Sequence, residues 1–326
     1  MRVSFFIVLV SIFSFTISAQ TKNEEQERLR IAESNIKSVT QWTHRYTKGE
    51  PNKNGYKTTE TQYDINGNPI EIINYRSSGE ISSRLLYKYN DDNLRTEYIM
   101  YQKINKPDPE VSYKQSIHYN SKGLKNVEVI FDGATGYRVT YDYFPNDKTK
   151  EIVKYGVGNK VDERWVYSYD GNNQQIKIYS PDKVLNAIVN KKFDSNDNLI
   201  EEQRLAADGK ELKKVTYKYD AKGREVETSE FFSGKFTKKM EYVYNSADLL
   251  VEVIQHNPDG TKFTQSKYNY DAKGNLLEER WSEGQQDEFS HKQSTYDREG
   301  KLVETDQYFA PYRYRVLYKY SYEYYK

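Results

Sequence analysis

The chain has 326 residues, 36 % of them hydrophobic and 15 % aromatic, with 32 Tyr and a mean hydropathy of −0.97. This is too polar for a large apolar core, while the aromatic and β-branched content excludes a disordered chain, which lacks both; thin, half-exposed β-sheet fits. The 49 Lys and Arg balance 48 Asp and Glu without a basic stripe, which excludes nucleic acid as a partner, and the absence of Cys excludes disulfides, thiolate metal sites, Cys nucleophiles and a lipid-anchor Cys.

The N-terminus reads as an address. Arg2 precedes an apolar run from Val3 to Ile17, followed by Ser18-Ala19-Gln20. A basic start, a short apolar core and small residues at the exit describe a signal peptide over residues 1–19, cleaved after Ala19, with an uncleaved membrane anchor as the alternative. The run is shorter than the roughly 20 residues of a membrane span, so the mature chain is expected to have no transmembrane span. The mature chain also balances 48 cations against 48 anions, because Arg2 lies in the signal.

Residues 20–55 are expected to form an N-terminal cap. Residues 22–38, with Glu24, Glu25, Glu27, Arg28, Arg30 and Glu33, read as a short polar helix able to cover the first sheet edge. Residues 39–60 read as a degenerate hairpin around Gly49-Glu50-Pro51.

Residues 56–326 repeat. Anchor aromatics fall at Tyr63, Tyr89, Tyr119, Tyr143, Tyr169, Phe193, Tyr219, Tyr244, Tyr270 and Tyr296, at spacings of 24 to 30 residues. The next residue is Asp or Asn in every unit but the fourth, where it is Phe144. Three residues on stands Gly, Asn or Asp in all ten units (Gly67, Asn93, Gly123, Asp147, Asn173, Asp197, Gly223, Asp248, Gly274 and Gly300), the types that tolerate positive φ. This column predicts the left-handed residue of a hairpin loop whose first Asp or Asn accepts hydrogen bonds from N–H groups just ahead of it.

Seven residues past the Asp/Asn position stand Glu71, Glu97, Glu151, Glu201, Glu227, Glu252, Glu278 and Glu304. Glu makes up 28 of 326 residues, so about one of ten positions is expected by chance; eight carry it, and the repeat is real. The residue before it is apolar in seven units, as in Ile70, Ile176 and Val251. A second turn follows in each unit, from Ser78-Gly79 through Pro107-Asp108, Asp208-Gly209 and Glu283-Gly284 to Ala310-Pro311. Each unit is therefore strand, tight turn, strand, looser turn. The C-terminal Tyr318, Tyr320, Tyr322 and Tyr324 keep strand spacing and predict the final strand.

The expected fold class is all-β: a repetitive antiparallel hairpin meander of about twenty strands, forming a long curved or spiralling sheet. An outer-membrane barrel is not expected, because it needs an outward apolar band and these strands carry Lys, Glu or Gln on both faces.

Tyr219-Asp220-Ala221-Lys222-Gly223-Arg224, Tyr270-Asp271-Ala272-Lys273-Gly274-Asn275-Leu276 and Tyr296-Asp297-Arg298-Glu299-Gly300-Lys301-Leu302 resemble the YD repeat of the Rhs family. The resemblance covers about residues 56–326 and is strongest in the last five units. It implies a spiralling β-sheet shell, and in many members a toxin domain beyond it. This chain departs from the large members: ten units look too few to close a cage, and no globular effector follows the repeats. The toxin function is therefore not expected. The resemblance also carries, loosely, a carbohydrate-binding role.

Two columns could bear chemistry. The Tyr pairs Tyr87/Tyr89, Tyr167/Tyr169, Tyr217/Tyr219, Tyr242/Tyr244 and Tyr268/Tyr270 are spaced to share one face. Such ladders ordinarily pack across strands; left exposed, they would form a surface for stacking sugar rings. The Glu column repeats too evenly to single out the paired carboxylates of a glycosidase; a solvated ladder, or one paired with Lys88, Lys192 and Lys218 near the turns, is the expected arrangement. Asp194-Ser195-Asn196-Asp197-Asn198 resembles the start of a calcium loop, but Leu199 and Leu205 stand where Gly and Glu are needed. His44, His118, His256 and His291 are scattered and suggest no metal site.

No catalytic residue, metal or cofactor is expected. The functional expectation is an exported, non-catalytic scaffold or interaction protein of the envelope, in periplasm, cell surface or medium, with an envelope protein or glycan as partner. A carbohydrate-binding protein and a toxin-related remnant or immunity-type protein are the alternatives.

Overall fold

The computed structural model describes residues 17–102, 109–282 and 289–326. The predicted signal core, Val3–Ile17, lies almost wholly outside them, as do the turns at Pro107-Asp108 and Glu283-Gly284. Helix α1 covers Ile17–Glu33, starting earlier than the composition suggested. It is followed by 23 strands, one of them the two-residue Glu50–Pro51, in a single sheet. No described helix is long and apolar enough to cross a membrane.

The expectation of an open spiralling sheet is corrected by the pairing of Ile36–Thr47. This strand pairs antiparallel with both the first repeat strand, Tyr56–Tyr63, and the last strand, Tyr314–Tyr324; Gln41 faces Thr59 on one side and Tyr320 on the other. The sheet is therefore a closed barrel, with 22 strands in its wall. The units are too few for a cage but suffice to close on themselves once this strand is added. The hairpin expected over residues 39–60 is this pairing of Ile36–Thr47 with Tyr56–Tyr63, and in its loop Glu50–Pro51 pairs back on Tyr46 and Thr47. The N-terminal segment seals the edges as part of the wall; an unpaired edge would otherwise template association with other chains.

Helix α1 instead sits over the Asp64–Asn68 turn. Arg28 Nη1 donates to the Asn66 carbonyl at 3.0 Å, Ile31 is buried, and the chain leaves the helix through left-handed Asn35. Gly67, at φ +80°, lies beneath the helix. A Cβ there would fall 2.1 Å from the Arg28 carbonyl oxygen, whereas Gly223, at φ +77° in the equivalent place, has open space. We predict that Gly223→Ala costs about 1–2 kcal/mol of left-handed strain, whereas Gly67→Ala in addition lifts the helix. Tryptic cleavage at Arg28 and Arg30 should accelerate in Gly67→Ala and stay slow in Gly223→Ala; equal rates would refute the packing role.

Register assigns the two faces. Ile152, Trp165, Ile178, Ala187 and Ala206 stand opposite one another across five strands on one face. Glu151, Val166, Lys177 and Ile188 form the row on the other. The first face holds most buried side chains, and its main apolar cluster is Trp165, Ile176, Ile178, Ala187 and Val189. All five lie on three adjacent strands, so packing is between neighbours within the wall. Twenty-two strands span about 105 Å. The chain exposes 21289 Å², against roughly 14,000 Å² for a compact globule of its mass. Most side chains of the described strands are only half-buried, as in a thin wall.

The turns follow the repeat. In eight units the Asp or Asn after the anchor accepts N–H groups two and four residues on, as Asp220 does from Lys222 and Arg224 at 2.9 and 3.0 Å and Asp271 from Lys273 and Asn275 at 2.8 and 2.9 Å. The third residue after Asp or Asn is left-handed in nine of the ten units. The fourth unit keeps the backbone geometry through Phe144 N–H and the Lys148 carbonyl, without the side-chain acceptor. Asn173 is the exception: Asp170 pairs with Asn173 across a two-residue turn, and Gly171 carries the positive φ.

Candidate functional site: the tyrosine face

All ten candidate Tyr side chains lie on the face that holds Trp165. The row runs from Tyr87 through Tyr98, Gln115 and Ile130 to Tyr137, and from Tyr167 through Ile176, Val189 and Arg204 to Lys213. Tyr217 then faces Thr228, which faces Met240, and Tyr242 faces Val253. In the fifth unit the apolar residue of this column, Ile176, shares this face, opposite Tyr167.

The anchor hydroxyls have one repeated job. Tyr89 donates to the Pro69 carbonyl at 3.1 Å, Tyr169 to Thr149 at 2.9 Å, Tyr219 to Leu199 at 2.9 Å, Tyr244 to Glu225 at 2.8 Å and Tyr270 to Leu250 at 2.9 Å. Tyr119, Tyr143 and Tyr296 do the same with Arg95, Lys125 and Leu276. The accepting carbonyl always lies two residues before the last pair of the ladder between consecutive units. Between Leu199–Ala206 and Glu211–Tyr219, for example, pairing begins at Glu201 and Thr216. The ladder no longer reaches that carbonyl, and the hydroxyl satisfies it.

Phe193 supplies the internal control. It has no hydroxyl, and there the ladder extends two residues further, to Asn173 opposite Lys192, with Phe193 N–H donating to Asn172 at 2.9 Å. The sequence reading missed an eleventh anchor, Tyr322, 26 residues after Tyr296, which donates to Leu302 at 2.6 Å. The missing turn residue hid it. We predict that Tyr244→Phe costs about 0.5–1.5 kcal/mol, while Phe193→Tyr stabilises nothing, because its carbonyl partner is already used. Chemical denaturation of the two variants measures both.

Several ring faces are covered as well. Arg224 sits over Tyr244 at 4.4 Å and Lys148 over Tyr169 at 4.9 Å. Burial pushes the Tyr167 and Tyr219 hydroxyls up to about 12 and raises those of Tyr87, Tyr169, Tyr242, Tyr244 and Tyr270. Tyr217 is raised further by burial and then by Glu202, Glu225 and Glu230. The most continuous aromatic strip is Tyr87–Tyr98–Tyr113, with ring centroids 5.1 and 5.5 Å apart. Tyr98 and Tyr113 were not singled out in the sequence, because their units deviate most from the repeat.

The Glu column occupies the opposite face, and all eight carboxylates lie within 4 Å of a cation. Lys88–Glu97, Lys192–Glu201 and Lys218–Glu227 are 2.7, 2.8 and 2.8 Å apart, as expected. Arg84, Arg164, Lys267, Arg280 and Lys319 serve Glu71, Glu151, Glu252, Glu278 and Glu304. Exposed pairs of this kind contribute little each, but they leave no carboxylate of the column unpaired.

On the tyrosine face burial raises the carboxyls of Glu163 and Glu225; Glu225 accepts from Thr228, whose hydroxyl lies 3.4 Å from Tyr242. Burial also acts on Glu230, but Lys213 and Lys238, each 3.3 Å away, outweigh it and hold that carboxyl low. The calcium-like segment is closed on itself: Asp194 Oδ1 accepts from the N–H groups of Asn196 and Asn198, and Oδ2 accepts from Asn198 Nδ2.

A family described as "Uncharacterised protein" matches residues 162–293, less than half of the chain. No curated protein matches. Among solved structures, a TcdB2-TccC3 structure without its hypervariable C-terminal region is 12% identical with a TM-score of 0.27; the match covers 82% of this chain and 19% of that one, so the chain spans about a fifth of its length. A porin-like protein from Bacteroides uniformis is 10% identical with a TM-score of 0.30, covering 88% of this chain and 98% of that one. A porin-like protein from Bacteroides vulgatus is 12% identical with a TM-score of 0.25, covering 76% and 95%. None of these superpositions places the chain in its neighbour's fold. The class that its own geometry defines is a closed antiparallel β-repeat barrel.

Proposed function

We propose that this chain is a non-catalytic scaffold or interaction protein of a bacterial envelope, built from YD-like repeats. The carrying observation is that the repeated chemistry is spent inside the wall. The anchor hydroxyls satisfy backbone carbonyls and the Glu column is ion-paired. Closure also withdraws the sheet edges, so a partner must be met by a face or a rim rather than by strand addition. The ion pairs and charged rows on both faces disfavour a lipid-embedded barrel, which needs an apolar outer band. The envelope assignment is supported by the signal-like Arg2 and Val3–Ile17.

The test is retention by purified envelope fractions together with a hydrolase screen on peptidoglycan and polysaccharides. Saturable retention without turnover supports the reading. Hydrolysis abolished by a single substitution, Glu225→Gln above all, overturns it. Glycan binding is the second reading, and the Tyr87–Tyr98–Tyr113 strip favours it. A glycan array with hits lost in Tyr98→Ala supports that alternative.

A further inference from the structure

The wall closes at one place that no turn spans. Every other neighbouring pair of strands in the wall follows directly along the chain, whereas Ile36–Thr47 meets Tyr314–Tyr324 from the far end of the sequence. Where a turn joins two strands, a broken ladder re-pairs readily because its ends are tethered. At this seam the rest of the wall, rather than a short loop, must return the edges to each other.

The contacts around the seam sort into two bodies. Helix α1 is fixed to the first anchor turn by the Arg28–Asn66 bond and the close approach of Gly67. Ile36–Thr47 runs through its loop into Tyr56–Tyr63, with His44 Nδ1 2.8 Å from the Asn52 carbonyl oxygen, the His44 ring against Gly55, and the Thr43 and Thr58 hydroxyls 2.9 Å apart. Helix, strand and hairpin therefore form one body with the first repeat unit. The side-chain bonds that cross to the last two strands are polar: Ser38 with Glu323 at 3.2 Å, Gln41 with Tyr320 at 3.1 Å, Trp42 with Ser321 at 3.3 Å and Tyr46 with Asp306 at 2.6 Å. Arg30 also lies near Tyr322, and Arg315 covers the Tyr46 ring at 4.7 Å. Bonds of this kind can be exchanged for water at small net cost.

Tyr325 fastens the two bodies together. Its N–H donates to the Asn35 carbonyl at 2.9 Å, and its hydroxyl donates to the Tyr63 carbonyl. Both acceptors belong to the body on the far side, and the side chain passes the end of Ile36–Thr47 to reach the strand beyond it. The ladder is interrupted at that same end by a register shift between Ile36 and Ser38. Tyr325 is half-buried there, while Glu323, Tyr324 and Lys326 around it are exposed.

We propose that the seam between Ile36–Thr47 and Tyr314–Tyr324 is a line of parting built into the barrel, with Tyr325 as its buckle. Nine residue pairs join the two strands, so parting is one cooperative local opening rather than the fraying of an end. When it opens, α1 and Ile36–Thr47 stay with Tyr56–Tyr63, and the wall gains two edges without losing a strand. The inference concerns the barrel itself and does not depend on the scaffold reading.

Amide hydrogen exchange of the purified chain, read peptide by peptide, is the experiment. Residues 36–45 and 314–324 should exchange about tenfold or more faster than residues 161–206, whose strands are tethered by turns. Tyr325→Phe keeps the ring and removes one hydrogen bond; it should accelerate exchange at the seam by about threefold to tenfold and leave residues 161–206 unchanged. Thr40 stands opposite Ser321 across the seam and opposite Glu60 on its other side, and the chain has no Cys, so two engineered bridges can be compared. The oxidised Thr40→Cys, Ser321→Cys variant should slow seam exchange to the level of residues 161–206, and the oxidised Thr40→Cys, Glu60→Cys variant should not. Comparing each variant oxidised and reduced separates the bridge from the substitutions. Uniform exchange along the wall, equal acceleration of all strands by Tyr325→Phe, or equal protection by the two bridges overturns the proposal.

Discussion

Removing residues 1–47 is expected to convert the closed barrel into a self-associating sheet. The truncation takes away helix α1 and the strand Ile36–Thr47, and exposes Tyr56–Tyr63 and Tyr314–Tyr324 as two free edges at once. Free edges are the sites at which sheets pair with foreign chains. The deleted strand also supplies buried Ile36, Ser38 and Thr43, the Gln41 amide that donates to the Tyr320 hydroxyl at 3.1 Å, and the Tyr46 hydroxyl that donates to Asp306 at 2.6 Å. Sedimentation velocity should show species above monomer, and the thermal midpoint should fall by about 10 °C or more. A peptide spanning residues 34–48, added to the truncated chain, should restore part of the midpoint by refilling the gap. A truncated chain that stays monomeric with an unchanged midpoint would show that closure contributes nothing.

Closure was also the feature least legible in the sequence. Strands, turns and the pairing of Lys88, Lys192 and Lys218 with the Glu column were readable, because each rests on contacts within one unit or its immediate neighbour. A two-residue period and a Gly/Asn/Asp column report such local geometry directly. The partners of Ile36–Thr47 lie at the far end of the chain, as Trp42 and Ser321 do, and no local pattern encodes a pairing across that separation. The strand itself, Ile-Lys-Ser-Val-Thr-Gln-Trp-Thr, lacks the anchor aromatic and the Asp turn that mark the other units, so it read as a cap.

The Tyr column was found, but its purpose was not. A Tyr at strand spacing says only that a ring lies on a face. That its hydroxyl completes the neighbouring unit's backbone depends on where each inter-unit ladder stops. Phe193 held the clue: the one anchor without a hydroxyl follows the one unit whose turn is shortened, through Gly171 and Asn172. Asn173 was misassigned for the same reason, since the extended ladder draws it into the strand.

The Tyr face should also set the alkaline limit of the fold. Burial raises the hydroxyls of Tyr63, Tyr113, Tyr167, Tyr219 and Tyr322 to about 12, and Tyr46 is held there by burial and its bond to Asp306. In the unfolded chain a Tyr titrates near about 10. The folded state therefore favours the protonated form, and this contribution is fully present below about pH 10 and lost as pH rises through about 12. Ionisation also removes the proton that Tyr219 and Tyr322 donate to the Leu199 and Leu302 carbonyls, so loss of charge neutrality and loss of the inter-unit bond occur together. Tyrosinate absorbance and far-ultraviolet circular dichroism are expected to change in one steep transition between those pH values. The triple variant Tyr219→Phe, Tyr244→Phe, Tyr270→Phe should begin from lower stability at neutral pH, by about 3 kcal/mol if three such bonds add. It should also show a shallower alkaline transition, because three of the ionising groups are gone. Gradual ionisation near pH 10 with the β-sheet signal intact beyond pH 12 would overturn the assignment of these hydroxyls to the wall.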